Sequence, residues 1–179
     1  MNSFYTHDEL VLIGFNLCGH NVLISRKASI YSPERMKIGN HVRIDDFCVL
    51  SGEINIGSFV HISAYTALYG RNGIFIEDYA GVSPRCTIFS ATDDFSGDFL
   101  IGPMVDQKYT NVLGGPVFIK KYVQIGAGCV VLPNLTIKEG SVIGALSLVN
   151  KSVESWLIAA GIPVRVIKNR SKKLLDYLA

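Results

Sequence analysis

The chain has 179 residues, 49% hydrophobic and only 18% charged, with a formal charge of +2. That length suits one domain with a real core, and the near-neutral balance argues against bulk nucleic-acid binding, which needs a concentrated basic face. Mean hydropathy is high for a soluble protein. Yet no apolar run nears the roughly 18–20 residues of a membrane span, and the longest, from Trp156 to Val164, is broken by Gly161 and Pro163.

Residues 1–20 read as an N-terminal cap. From Met1 to Leu12 no basic flank precedes an apolar stretch, so no secretory leader is expected. Thr6 and Glu9 stand at capping-box spacing, which predicts a short helix ending near Leu12. Over 21–155 the apolar residues recur every six positions. Ile38, Ile44, Leu50, Ile56, Ile62 and Leu68 form one run; Ile119, Ile125, Val131, Ile137, Ile143 and Val149 form another. Six helical steps turn through about 600°, so a helix could not keep them on one face. An alternating strand would be apolar at every second residue instead.

Five related heptamers, IGNHVRI, IGSFVHI, IEDYAGV, IKKYVQI and IKEGSVI, open at Ile38, Ile56, Ile76, Ile119 and Ile137. The first pair and the last pair are 18 residues apart; the step into Ile76 is 20, and the step into Ile119 is 43. A weaker coil around Ile24, Ala28 and Ile30 precedes them. Such self-similarity marks a solenoid, whose units bury their apolar edges only by stacking. Three six-residue sides per turn make a triangular prism, with coils about 4.8 Å apart. The expected class is all-β: a parallel β-helix with aliphatic residues inside and glycines and small residues at its corners. A two-sheet sandwich would instead show turn signals every 8–12 residues or so. The 43-residue step places a long inserted loop over 89–116, without evident secondary structure, and loops of that kind are usually functional. Residues 156–179 form a tail with a short helix over 171–178, setting Leu174, Leu175 and Leu178 on one face to cap the solenoid.

Cys18, Cys48, Cys86 and Cys129 form no C-x-x-C pair, and the last three occupy small inward positions of their hexads. They read as buried, unreactive thiols of a reducing compartment, consistent with a cytoplasmic protein. His7, His20, His41 and His61 offer no convincing trio for zinc, so no metal is expected and a β-helix zinc hydratase is disfavoured. His61 remains a candidate to line a site.

The hexads, the insertion and the tail Ala159-Ala160-Gly161-Ile162-Pro163-Val164-Arg165-Val166-Ile167-Lys168 resemble the hexapeptide-repeat, left-handed β-helix acyltransferases over residues 22–170. In particular they resemble the galactoside and maltose acetyltransferases and the sugar acetyltransferases of bacterial surface-polysaccharide clusters. The resemblance implies a homotrimer with acetyl-CoA as co-substrate in grooves between subunits. It implies that the amides of Ala127 and Ala145, each after a glycine (Gly126, Gly144), hold the pantetheine arm. Asn150 and Lys151 would meet the nucleotide end; Ala160, Arg165 and Lys168 would pack against adenine and phosphates, which favour such cations. Gln124 replaces a Trp common in the galactoside enzymes.

On the acceptor side, Asp93 stands where those enzymes carry a catalytic His, and Ser63 and Arg71 replace an Asn and an Asp. A sugar hydroxyl needs a base with a pKa near the working pH, and an ordinary Asp near about 3.9 is poorly matched to that task. An amine needs less help. If Asp93 and Asp94 share a site, each raises the other's pKa. The expectation is therefore N-acetylation of a nucleotide-linked amino-deoxysugar, as in the dTDP-4-amino-4,6-dideoxyglucose acetyltransferases, feeding surface polysaccharide or O-antigen synthesis. Asp93 or Asp94 would handle the proton, and Tyr65, Tyr69 and Arg85 would face the same cleft. Acetylation of a hydroxyl, with His61 as base, is the alternative; a non-catalytic β-helix scaffold is the alternative of another class.

Overall fold

The computed structural model describes residues 3–177. It is a left-handed parallel β-helix of about seven turns. Each coil contributes a short strand to three sides, and the pairing follows the hexad register. On one side Ile24 pairs with Ile44, Ile44 with Ile62, Ile62 with Val82, Val82 with Ile125 and Ile125 with Ile143. The first parallel pairing joins Leu17–Cys18 to Met36–Ile38. The inward columns are sealed: Ile44, Leu50, Ile62, Leu68, Ile88, Ile119 and Ile137 are all fully buried. Each such side chain contributes roughly 1.5–3 kcal/mol by burial, and β-branched residues suit the pleated wall.

The corners differ from the expectation of small residues. One corner is built by His41, Phe59, Tyr79, Tyr122 and Trp156, all left-handed at φ between 55° and 61°. A non-glycine residue there costs roughly 1–2 kcal/mol. Ring stacking along the corner offsets it: His41 on Phe59 at 4.7 Å, Phe59 on Tyr79 at 4.8 Å, and Tyr79 on Tyr122 at 5.5 Å. Gly140 interrupts this row because the Trp156 ring fills its place; a Cβ there would meet the indole at 2.5 Å. A second corner carries Phe47, Tyr65, Arg85 and Leu146 in the same conformation.

The small inward residues at that second corner do more than fit. Cys48 donates to the Ser63 carbonyl at 3.2 Å, and Thr66 to Ser83 at 3.2 Å. Cys86 donates to Gly126 at 3.1 Å, and Cys129 to Gly144 at 3.1 Å. Each bonds a partly buried carbonyl, and at Gly144 the Ser147 hydroxyl shares the acceptor at 2.7 Å. Burial raises the Cys48 thiol's pKa, and Cys86 is pushed up by its Cys129 neighbour and by burial. Both are therefore poor nucleophiles.

Both ends are closed. The helix α1, His7–Ile13, has the full capping box with Thr6 and Glu9, and Leu10 is buried beneath it. Arg26 binds Glu9 with both terminal nitrogens, at 2.8 and 2.6 Å. At the other end the tail strand Arg165–Asn169 runs antiparallel to Leu157–Ala160 and covers its edge, a role expected of the terminal helix. Arg170 then clamps the carbonyls of Tyr122 and Gly140, at 2.7 and 2.9 Å. The terminal helix itself is a 3-10 turn, Lys173–Tyr177, with Leu174 and Leu175 half-buried; Leu178 lies outside the described residues.

The long insertion is not structureless. Ala91–Asp93 and Val112–Gly114 form an antiparallel ribbon at its neck, and Gln107–Tyr109 makes a 3-10 turn beyond it.

Candidate active site

Two departures from the period meet at one place. The two extra residues fall between Gly70 and Ile74, where Arg71 lies just after the in-register Tyr69, and the ribbon of the long insertion carries Asp93. Arg71 and Asp93 line a cavity of roughly 300 Å³ with Pro103, Gln107, Thr110 and Val112. A smaller one, roughly 220 Å³, shares Arg71, Asp93 and Val112 and adds Tyr69 and Thr92. Among the described residues neither the Asp93 carboxylate nor the Arg71 guanidinium has a hydrogen-bond or ion-pair partner. A free anion and a free cation thus face the same cavity.

Asp94 does not share this site with Asp93. Its carboxylate accepts from the Ser96 amide and from the Asn111 side chain, each at 2.8 Å. The Ser96 bonds, then Asn111, hold its pKa below the usual carboxylate range, opposite to the rise expected of a paired aspartate. Its geometry shapes the loop. Tyr65 and Arg85 also lie elsewhere, at the second corner, with Tyr65 stacked on Phe47 and the Arg85 guanidinium over its ring. Ser63 belongs to that corner through its carbonyl bond from Cys48. Tyr69 alone of this aromatic set joins Asp93.

His61 sits on the side formed by Arg43–Ile44, His61–Ile62 and Gly81–Val82, and lines neither cavity. Its Nε2 is 2.7 Å from Asp45 Oδ2, and Arg43 Nε donates to the other oxygen at 2.7 Å. Burial works against ionisation of Asp45, but these two bonds win and lower its pKa. His41 is a corner residue, paired with Asn21 at 2.8 Å. Among the described residues no cluster of metal-ligating side chains gathers.

The donor-side residues gather in part. The amides of Ala127 and Ala145, two exposed residues on successive coils, find no acceptor among the described residues. Gly126 lets these coils approach, since a Cβ there would meet the Ala145 nitrogen at 2.5 Å. Gly144 does the same for Ala160, at 2.7 Å from its Cβ. Lys151 and Arg165 line one cleft of roughly 230 Å³ with Ser152 and Val166. Asn150 is exposed beside Lys151, and Lys168 is exposed on the tail strand opposite Ile158. Lys151, Arg165 and Lys168 have no ion-pair partner among the described residues. Unpaired amides and free cations are the groups that a phosphate-bearing pantetheine ligand calls for. Gln124 folds over Gly81 and donates to the Tyr79 carbonyl at 3.2 Å. Pro103, Gln107 and Thr110 belong to no motif, and the length of the excursion is their only signal in the sequence.

No family model matches the chain. A dTDP-4-amino-4,6-dideoxy-D-glucose acyltransferase of Escherichia coli is 45% identical over 174 residues, spanning 94% of this chain and 91% of that protein. The chain belongs to that acyltransferase family. An N-acyltransferase from Bacillus cereus, solved with dTDP and 3-hydroxybutyryl-CoA, superposes at TM-score 0.97 and 52% identity, covering 99% of this chain and 95% of that one. A hexapeptide-repeat acetyltransferase from Vibrio cholerae, solved with acetyl coenzyme A, matches at TM-score 0.66 and 20% identity over 96% of this chain and 81% of its own, which shows the fold alone. An acyltransferase of this family is an enzyme, and the scaffold alternative is set aside.

Proposed function

We propose that this acyltransferase moves an acetyl group from acetyl-CoA to the amino group of a dTDP-linked 4-amino-4,6-dideoxyglucose. The observation that carries the reading is that Asp93 and Arg71, both without a partner among the described residues, line the same cavity. The names of the Escherichia coli and Bacillus cereus relatives supply the substrate class.

Asp93 orients the ammonium form of the acceptor and takes a proton as the nitrogen attacks the thioester carbonyl. The C–N bond forms, the C–S bond breaks, and the thiol leaves carrying a proton. An amide near Ala127 faces the developing oxyanion, where a preorganised donor is worth far more than in water. Arg71 faces the nucleotide phosphates. Lys151, Arg165 and Lys168 meet the phosphates of the donor, with Asn150 and Ala160 beside them. The chain works in the cytoplasm as a homotrimer, and its product feeds surface polysaccharide such as O-antigen.

A second reading, acylation of a hydroxyl, rests on the His61–Asp45 pair, which has the form of an oriented base. Mixing the protein with acetyl-CoA and amino or hydroxyl sugar nucleotides, then following thiol release and product mass, separates the two. Release with the amino sugar supports the proposal. Release confined to hydroxyl acceptors, and abolished by His61→Asn, replaces it with the second reading.

A further inference from the structure

Ser90 is fully buried at the foot of the long insertion, where a hydroxyl is unusual unless it is bonded. Its Oγ accepts from the Asn72 amide at 2.8 Å and donates to the Tyr69 carbonyl at 3.0 Å. Its own amide also donates to the Tyr69 carbonyl at 3.0 Å. Its carbonyl accepts from the Gly115 amide at 3.0 Å and from the Asn72 side chain at 3.2 Å. One residue therefore holds both sides of the 69–73 stretch and the returning end of the insertion. Tyr69 and Asn72 flank Arg71 in the chain, and Asp93 lies three residues beyond Ser90 on the ribbon strand. Gly114 completes the junction, because a Cβ there would meet the Asn72 side-chain Nδ2 and the Ser90 carbonyl, both at 2.5 Å.

We propose that Ser90 is a positioning residue that fixes Arg71 and Asp93 relative to one another across the acceptor cavity. The ladder aligns Gly70 with Gly52 and Ile74 with Ile54 but shifts register between them, where Arg71 lies, and Asp93 sits on a ribbon strand paired only with Val112–Gly114, so the coil register does not set Arg71 against Asp93. The Ser90 node supplies that alignment, and the inference rests on the acceptor-site reading above.

The test pairs kinetics with amide hydrogen exchange on Ser90→Cys and Ser90→Ala, with thermal melting to confirm folding. Displacing a reacting group by about 1 Å costs on the order of a hundredfold. Ser90→Ala is therefore expected to lower kcat/KM for dTDP-4-amino-4,6-dideoxyglucose about 10–100-fold, with Ser90→Cys in between and the KM for acetyl-CoA within about twofold. In an Asp93→Asn background the same change should cost less than about threefold, because coupled residues are not additive. Exchange at residues 69–73 and 91–93 should rise together. Full additivity with Asp93→Asn, or an equal loss of donor affinity, overturns the positioning role. Unchanged exchange in both segments overturns it regardless of catalysis. If the intact protein does not acylate the amine, the acceptor-site reading falls, and the exchange result alone decides whether Ser90 couples the insertions.

Discussion

The regular coils and the two insertions are built on different logic. In the coils, a residue's place follows from its number modulo the repeat: Ile44, Ile62, Val82, Ile125 and Ile143 stack in register and are buried. In the insertions, neighbours come from contacts that no period encodes. Arg71 and Asp93 are 22 positions apart, yet line the same two cavities. The coil backbone pairs largely with the next turn, and the Cys/Thr/Ser column bonds to corner carbonyls. The insertions keep a carboxylate and a guanidinium free. A charge without a protein partner is open to a substrate, so the break in the repeat is where chemistry is expected.

The sharpest challenge to this contrast replaces two adjacent aspartates. Asp93→Asn is expected to lower turnover by about 10²–10⁴-fold, the usual range for a lost proton acceptor, with the melting temperature unchanged. Asp94→Asn keeps an acceptor for the Ser96 amide and is expected to stay within about tenfold, well short of that loss. Comparable losses at both positions would show that the pair acts as a unit and that the loop geometry of Asp94 is not its only role.

The same contrast explains what could be read from the sequence. Hexads from Ile38 to Val149 reveal the prism because burial imposes the period, and Thr6 with Glu9 reveals the helix because capping has a fixed spacing. The aromatic corner was not legible. Left-handed φ at Phe59 or Tyr122 contradicts local preference and is offset only by stacking on the next coil. Nor was the division of the acceptor candidates. Tyr65 and Tyr69 are four residues apart, but a corner separates them, so one stacks on Phe47 and the other on Phe89. Asp93 and Asp94 are neighbours, but Asp94 is bonded by Ser96 and Asn111 while the Asp93 carboxylate is unpartnered among the described residues.

A coil residue should fail in the opposite way to Asp93. Leu68→Ala removes a fully buried side chain and is expected to destabilise the fold by about 2–5 kcal/mol. Denaturant melts should show this loss while turnover per folded molecule changes little. A melt shift below about 1 kcal/mol would mean the stack relaxes around the gap more than a close-packed prism allows.

Smaller effects are expected at the cleft of Lys151 and Arg165, where the tail strand meets the last coil. Arg165→Ala should raise the KM for acetyl-CoA about tenfold with kcat within about twofold, the signature of lost uniform binding. Lys151→Ala should do the same, and added salt should narrow both gaps as the charges are screened. A fall in kcat with KM unchanged would move these cations from donor binding to the chemistry.

The least effect is expected at the N-terminal cap, which belongs to neither the coils nor the insertions. Arg26, then the Thr6 amide and hydroxyl, lower the Glu9 pKa from 4.5 to about 2. A carboxyl depressed in the folded state binds fewer protons than in the unfolded chain, so its stabilisation is complete above about pH 4.5 and fades as pH falls toward 2. Glu9→Gln should lower the melting temperature slightly at neutral pH and flatten its decline on acidification across that window. Because Glu9 is solvent-exposed, screening keeps the shift small. Parallel acid profiles for the wild type and Glu9→Gln would mean that the cap is already frayed in solution, and that the prism closes at Leu10 without it.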